Sequence, residues 1–264
     1  MKEVDWLELW NELVTRNTLP DTQRLVKRYK SHGKKQMERP DPLLDFIIQF
    51  SNADDDLIDI GPGNGRWTIP LAKVANKVTA IEPNPAMFDM IKENIDKAGI
   101  GNVEILQQKW EDATPPMHDV TICAHGIYNS PDLEAFVRKM EHFSRKKCYL
   151  ALRLPPAEGI MAELSLKIYD CRHDSPDAIV AYNALYSIGI YTNVLIENNI
   201  TNWVDIKVED AFKRAKRHLN LDVSDTTHDK LIYTVLNSRL VPSDGIYTWP
   251  DGMRSALLWW IPRQ

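Results

Sequence analysis

Cysteine is scarce in this chain. Cys123, Cys148 and Cys171 are its three cysteines among 264 residues, too few and too scattered for a disulfide frame or a zinc site. Two of them fall inside apolar, strand-like runs, "DVTICA" and "KCYLALRL", where a thiol serves as a small buried side chain. Long apolar runs are missing too. No stretch of about 18 apolar residues is present, so no segment reads as a membrane span. The opening "MKEVDWLELW" carries acids within its apolar face and lacks a signal-peptide core, so a soluble, cytoplasmic chain is expected. An excess of positive charge is also wanting. The 32 Lys and Arg against 37 Asp and Glu give a net charge of −5, which weighs against duplex or tRNA-sized nucleic acid as the main partner. What remains is ordinary globular composition, 44% hydrophobic and 26% charged, in one large domain or two small ones.

Glycine is sparse as well, at 11 residues, yet three of them alternate in "DLIDIGPGNGRWTIPL": Gly61, Gly63 and Gly65. Glycine loosens a chain, so three in five residues is a local cost that something must require. They stand where a strand hands over to a helix. Strand-like runs at 57–60, 77–82, 103–108, 119–124 and 148–154 alternate with helical patterns at 66–75, 84–99 and 130–143. That rhythm implies βαβ units and a parallel sheet covered on both faces. Ahead of it, residues 4–16 read as a helix, 21–37 as an unusually basic one, and Asp41-Pro42 as the start of a third. Behind it, helices are expected near 157–170, 176–188, 207–219 and 227–238, with a strand at 191–197. The last stretch, "GIYTWPDGMRSALLWWIP", is expected to form a hairpin with Pro-Asp-Gly as its turn.

In an open α/β sheet, ligands bind beyond the carboxyl ends of the strands. Bare backbone there admits a nucleotide-like ligand, and the helix amides that follow accept an anionic group. A dinucleotide fingerprint wants a third small residue where Arg66 stands, and a Walker loop wants Gly-Lys-Ser/Thr, which does not follow. What is left is acid-x-G-x-G-x-G, led by Asp59, with a second acid, Glu82, ending the next strand. An acid there can accept hydrogen bonds from ribose hydroxyls. Pro83 keeps it out of the following helix.

On these residues the sequence resembles the class I S-adenosylmethionine-dependent methyltransferases of small-molecule type. "DIGPGNGRWTIPLA" looks like their first motif, "VTAIEPNPAMF" like their second, and "HDVTICAHGIYNSPDLEAFVRKM" is similar to their fourth-strand motif. The resemblance implies a Rossmann-like doubly wound fold, with a mostly parallel seven-stranded sheet, an antiparallel C-terminal hairpin strand and added helices. It implies one methyltransferase domain over 1–264. Within it, 1–40 form a helical cap over the donor site, 42–154 the donor-binding half and 155–264 the acceptor side. S-adenosylmethionine is the implied co-substrate. Gly61, Pro62 and Gly63 would pass under its methionine part, Asp59 would orient that loop or meet its amine, and Glu82 would hold the ribose beside Pro83 and Asn84. Trp110 is either a stacking wall for the adenine or core, with Glu111 or Asp112 as acceptor. His125 would face the methyl group.

Methyl transfer from a sulfonium is a direct displacement, in which alignment does most of the work. If the acceptor carries a proton, His125 is the candidate base, with Tyr128 and Tyr29 as polar groups that orient the acceptor. Cys171, His173 and Asp174 match no standard metal spacing, and no metal is expected. Aromatics beyond residue 155, such as Tyr169, Tyr182 and Trp203, fit a small, partly apolar acceptor. The competing readings are a protein or RNA methyltransferase and a non-catalytic S-adenosylmethionine-binding module. The first has only the basic helix in its favour, and an Asn-Pro-Pro-Tyr/Phe motif is absent where "AHGIYN" stands. A homodimer is compatible with the sequence.

Overall fold

The computed structural model describes residues 4–16 and 40–263. The basic stretch with Arg24, Lys27, Arg28, Lys30, Lys34, Lys35 and Arg39, and Tyr29 within it, lies outside the described residues. Four short parallel strands carry the site: β1 (Asp56–Ile60), β2 (Lys77–Ile81), β3 (Val103–Leu106) and β4 (His118–Ala124). Asp59 pairs in register with Ala80 on one side and Ile122 on the other. The strands therefore end together, and their outgoing loops converge at one edge.

Beyond β4 lie β5 (Ser144–Leu154), β6 (Asn193–Ile196) and β10 (Arg254–Trp260). The full order is β3-β2-β1-β4-β5-β10-β6, with β10 antiparallel to both neighbours. Strand order reverses between β1 and β4, which makes that edge the switch point where α/β sheets bind ligands. Ile58, Val78, Ile122, Leu150 and Leu257 are buried along the sheet, as cover on both faces demands.

The helices are α1 (Trp6–Arg16), α2 (Pro42–Gln49), α3 (Thr68–Ala72), α4 (Pro85–Ala98), α5 (Leu133–His142), α6 (Ile160–Tyr169), α7 (Ala178–Ser187), α8 (Val208–His218) and α9 (Asp229–Arg239). Their ends follow sequence signals. Asn84 caps α4 by accepting from the Ala86 and Met87 amides, with Pro85 in its first position, and Gly99 ends it at φ +66°. Asp41 and Asp132 cap α2 and α5 in the same way. Helix α1 is built into the main core through Trp10, Leu13 and Val14. The Trp10 indole N–H donates to the Ser130 carbonyl at 3.0 Å, which fastens α1 beside the loop that leaves β4.

A second, smaller sheet lies within the last hundred residues: β7 (Val204–Asp205), β9 (Ile246–Thr248) and β8 (Val241–Ser243), in the order β7-β9-β8. Together with α6, α8 and α9 it surrounds its own core of Ile160, Leu164, Ala211, Leu236 and Trp249. One sequence expectation fails here. Residues flanking Pro250-Asp251-Gly252 do not form a hairpin, because β9 pairs with β7 and β8 while β10 enters the large sheet. The turn joins two sheets. The local hairpin instead runs from β8 to β9 through Asp244 and Gly245, both at positive φ.

Candidate active site at the carboxyl edge of the sheet

The loop after β1 answers the question its glycines raise. Gly61, Gly63 and Gly65 hold φ of +68°, +58° and +85°, conformations that side chains resist. Gly61 has a second reason. A Cβ there would stand 3.1 Å from the Cα of Gly126, and one on Gly126 would stand 2.8 Å from the Ile60 carbonyl oxygen. The loops leaving β1 and β4 thus touch backbone to backbone. Arg66 and Trp67, which close the motif, both grip Asp41: the guanidinium at 2.7 Å and the indole N–H at 2.7 Å. Asp41 also caps α2. One carboxylate therefore ties the glycine loop to the segment that enters the domain.

Two acids lie under this loop. Asp59 is buried, and burial pushes its carboxyl up to about 6; the Thr68 hydroxyl, donating to Oδ2 at 2.6 Å, opposes that, and Glu82 adds to it. Its other oxygen, Oδ1, is buried without a hydrogen-bond partner. An orphaned carboxylate oxygen is costly in a native fold and calls for a ligand. Glu82 is also buried, which raises its carboxyl, against the effect of the Asn84 and Gly63 amides. Its two oxygens accept from the Asn84 N–H at 2.9 Å and the Gly63 N–H at 3.3 Å. The second-strand acid thus reaches across to the bare loop.

On the β4 side, His125 takes φ +56°, a left-handed conformation that is strained for a side-chain-bearing residue. Its N–H donates to the Ala151 carbonyl at 2.9 Å. The ring is open to the cleft, yet it sits in a crowded concavity. Crowding, with Arg153 next, holds its imidazole down at about 4. Nδ1 lies 3.0 Å from the Tyr128 hydroxyl, which accepts the Arg153 backbone N–H at 2.7 Å. Burial raises the Tyr128 phenol.

The structure brings Asp59, Gly61, Gly63, Glu82, His125 and Tyr128 to one edge. Pro62 is buried in the loop, and Pro83 lies exposed beside Glu82. Trp110 is placed differently from a free stacking wall. Its ring is buried against Phe136 and Phe143, and its indole N–H donates to the Phe136 carbonyl at 3.3 Å. Of the two expected uses, core is the one its surroundings display. Glu111 accepts from the Ser130 hydroxyl at 2.5 Å, which links the loops after β3 and β4. Cys123 and Cys148 are free and buried, and burial pushes the Cys148 thiol up to about 12. Among the described residues no cluster of His, Cys, Asp and Glu is arranged to hold a metal ion, and no helix is long and apolar enough to cross a membrane.

A family model described as a methyltransferase domain matches residues 57–147, the span that holds both acids and the glycine loop. That match makes this third of the chain similar to the class I methyltransferases. The methyl donor of that family is S-adenosylmethionine. One relative of this chain, from Methanosphaera stadtmanae, is named a "probable ribosomal RNA small subunit methyltransferase A". It is 38% identical over 95 residues, which cover 34% of this chain and 35% of the relative. Another, from Methanobrevibacter smithii, is named a "probable cobalt-precorrin-6B C(15)-methyltransferase (decarboxylating)". It is 32% identical over 84 residues, 30% of this chain and 45% of its own. The chain thus spans less than half the length of these curated relatives. The YcgJ protein of Bacillus subtilis shares the fold, with a TM-score of 0.56 at 16% identity, over 84% of this chain and 98% of that one.

Two contributors carry no site role in the sequence reading. Asp41 reads there only as the start of a helix. Arg153 was not singled out at all, although a charge inside "YLALRL" was a visible signal.

Proposed function

We propose that this chain transfers the methyl group of S-adenosylmethionine to a small-molecule acceptor by direct displacement, as one domain whose donor half is 42–154 and whose acceptor side is 155–264. The observation that carries it is the pair of buried acids beneath a bare loop, Asp59 with its partnerless Oδ1 and Glu82 against the Gly63 amide. The fit to the donor is chemical. A cationic amine is what an orphaned carboxylate oxygen lacks, and ribose hydroxyls are what a carboxylate at the end of β2 can hold. The glycine loop leaves room for the methionine backbone between them.

The donor supplies an activated methyl, so the protein needs neither a covalent nucleophile nor a metal for that step. The acceptor's lone pair forms the new bond to the methyl carbon, and the electrons of the broken carbon–sulfur bond return to sulfur. The chain's own part is positioning. His125 is neutral at pH 7, with its imidazole held at about 4. In the tautomer proposed here, the Tyr128 hydroxyl accepts from the Arg153 N–H and donates its own proton to His125 Nδ1. That leaves His125 Nε2 protonated, a donor that orients an acceptor oxygen rather than a strong base.

The ribosomal RNA relative favours a second reading, an RNA acceptor. The net charge of −5 favours the small molecule. Formation of S-adenosylhomocysteine decides between them, measured with a panel of small alcohols, phenols, amines and carboxylates and in parallel with ribosomal subunits. Turnover with small molecules is expected. Turnover with the RNA substrate alone would overturn the small-molecule reading.

A further inference from the structure

Arg153 stands near the end of an apolar run on β5. Its guanidinium lies 4.1 Å over the Tyr128 ring, and its Nε is buried with no hydrogen-bond partner. Three other partly buried arginines are paired: Arg66 meets Asp41 at 2.7 Å, Arg214 meets Asp205 at 2.7 Å and Arg239 meets Glu163 at 3.0 Å. Among the described residues, Arg153 has no carboxylate within ion-pair distance. The acid that feels it, Asp174, is already engaged by His218 Nε2 at 3.3 Å and the Ser175 hydroxyl at 2.9 Å. A partly dehydrated guanidinium with unused donors is unfavourable unless something pairs with it.

What lies next to it narrows the occupant. Two residues on, Pro155 and Pro156 line a small cleft of about 50 Å³ with Met161, Trp203, Trp249 and Asp174. Among the described residues, a cation without a carboxylate partner thus lies over the Tyr128 ring, two residues along the chain from an apolar recess. We propose that Arg153 binds the anionic group, a carboxylate or a phosphate monoester, of a small acceptor whose apolar body extends toward that recess. The planar fork suits such a group, because two parallel N–H donors match two oxygens. This proposal rests on the methyltransferase reading above and adds the acceptor's class to it.

The test uses the full chain saturated with S-adenosylhomocysteine, titrated calorimetrically with benzoate, benzamide, phenyl phosphate and a short single-stranded RNA. The wild type is expected to prefer benzoate or phenyl phosphate over benzamide by about tenfold or more. Whichever anion binds more tightly names the source. Arg153→Gln should erase the preference, and Arg153→Lys should keep part of it. Both should hold S-adenosylhomocysteine within roughly twofold of wild type, since the donor contacts are elsewhere. Equal or no binding of benzoate, phenyl phosphate and benzamide to a wild-type chain that binds S-adenosylhomocysteine would overturn this proposal alone. So would a preference that survives Arg153→Gln, or Arg153-dependent binding confined to the RNA. Failure of S-adenosylhomocysteine to bind the wild type strikes the methyltransferase reading instead.

Discussion

The two halves of this molecule solve different problems. In residues 56–84, backbone shape and two carboxylates do the work, and they are local: the acid, the turn and the next strand's acid lie within one βαβ unit. Beyond residue 155, the elements meet through long-range pairings. Asp205 on β7 gathers Arg214 and the Trp249 indole, 9 and 44 residues away, at 2.9 and 2.8 Å. The first half is specified by what its bare loop requires of the main chain. The second is specified by how distant side chains pack. A fixed ligand leaves a motif, whereas a surface shaped for an individual acceptor leaves none.

Breaking one half without the other sharpens that contrast, and the largest effect belongs to the glycine loop. Gly61→Val places a branched side chain at φ +68° against the Gly126 backbone. Left-handed strain plus overpacking predicts a loss of donor affinity of about 100-fold or more by calorimetry. The reverse cut is Asp205→Ala, which strands Arg214 and the Trp249 indole. It should destabilise the small sheet by about 2–4 kcal/mol. Hydrogen exchange would then speed in β7 and β9, while β1 to β4 stay protected and donor affinity is unchanged. Equal loss of protection in both sheets would mean that the halves are not separable.

A smaller effect follows from Asp59. Burial pushes its folded carboxyl up to about 6, above the ordinary 3.8. The ionised form is therefore disfavoured by folding, and the stability tied to this group declines as pH rises from about 4 through 6. Asp59→Asn should remove that decline and raise the melting temperature at pH 7.5 by a few degrees, roughly what 1–2 kcal/mol gives in a domain of this size. The same variant should lose the pH dependence of donor binding. In the wild type, affinity should weaken below pH 6 as Asp59 takes up a proton. The smallest effect is an absence. With its imidazole held at about 4, His125 should show no titration between pH 5 and 8 by NMR. A midpoint near 6.5 would restore it as a candidate base.

Most of the sheet was legible because its signals are periodic or stereochemical. Apolar strands, Asn84-Pro85 at a helix start and Gly99 at its end each state a backbone preference within a few residues. The two acids proposed to hold the donor stand out for the same reason, each at the end of an apolar strand. The C-terminal turn misled because Pro-Asp-Gly specifies a reversal but not which strands it joins. Trp110 stayed open between two uses because an indole beside a loop is equally suited to a ligand or to Phe136 and Phe143. The embrace of Asp41 by Arg66 and Trp67 spans some 25 residues, and no local pattern announces it.

The central claim is that an adenosyl sulfonium lies on the bare β1 loop with its sugar held by the β2 carboxylate. Calorimetric titration of S-adenosylmethionine into the full chain and into Glu82→Ala tests it most directly. The account predicts binding to the wild type and a loss of about 1–3 kcal/mol in the variant. Undiminished binding in Glu82→Ala, or none in the wild type, would contradict it.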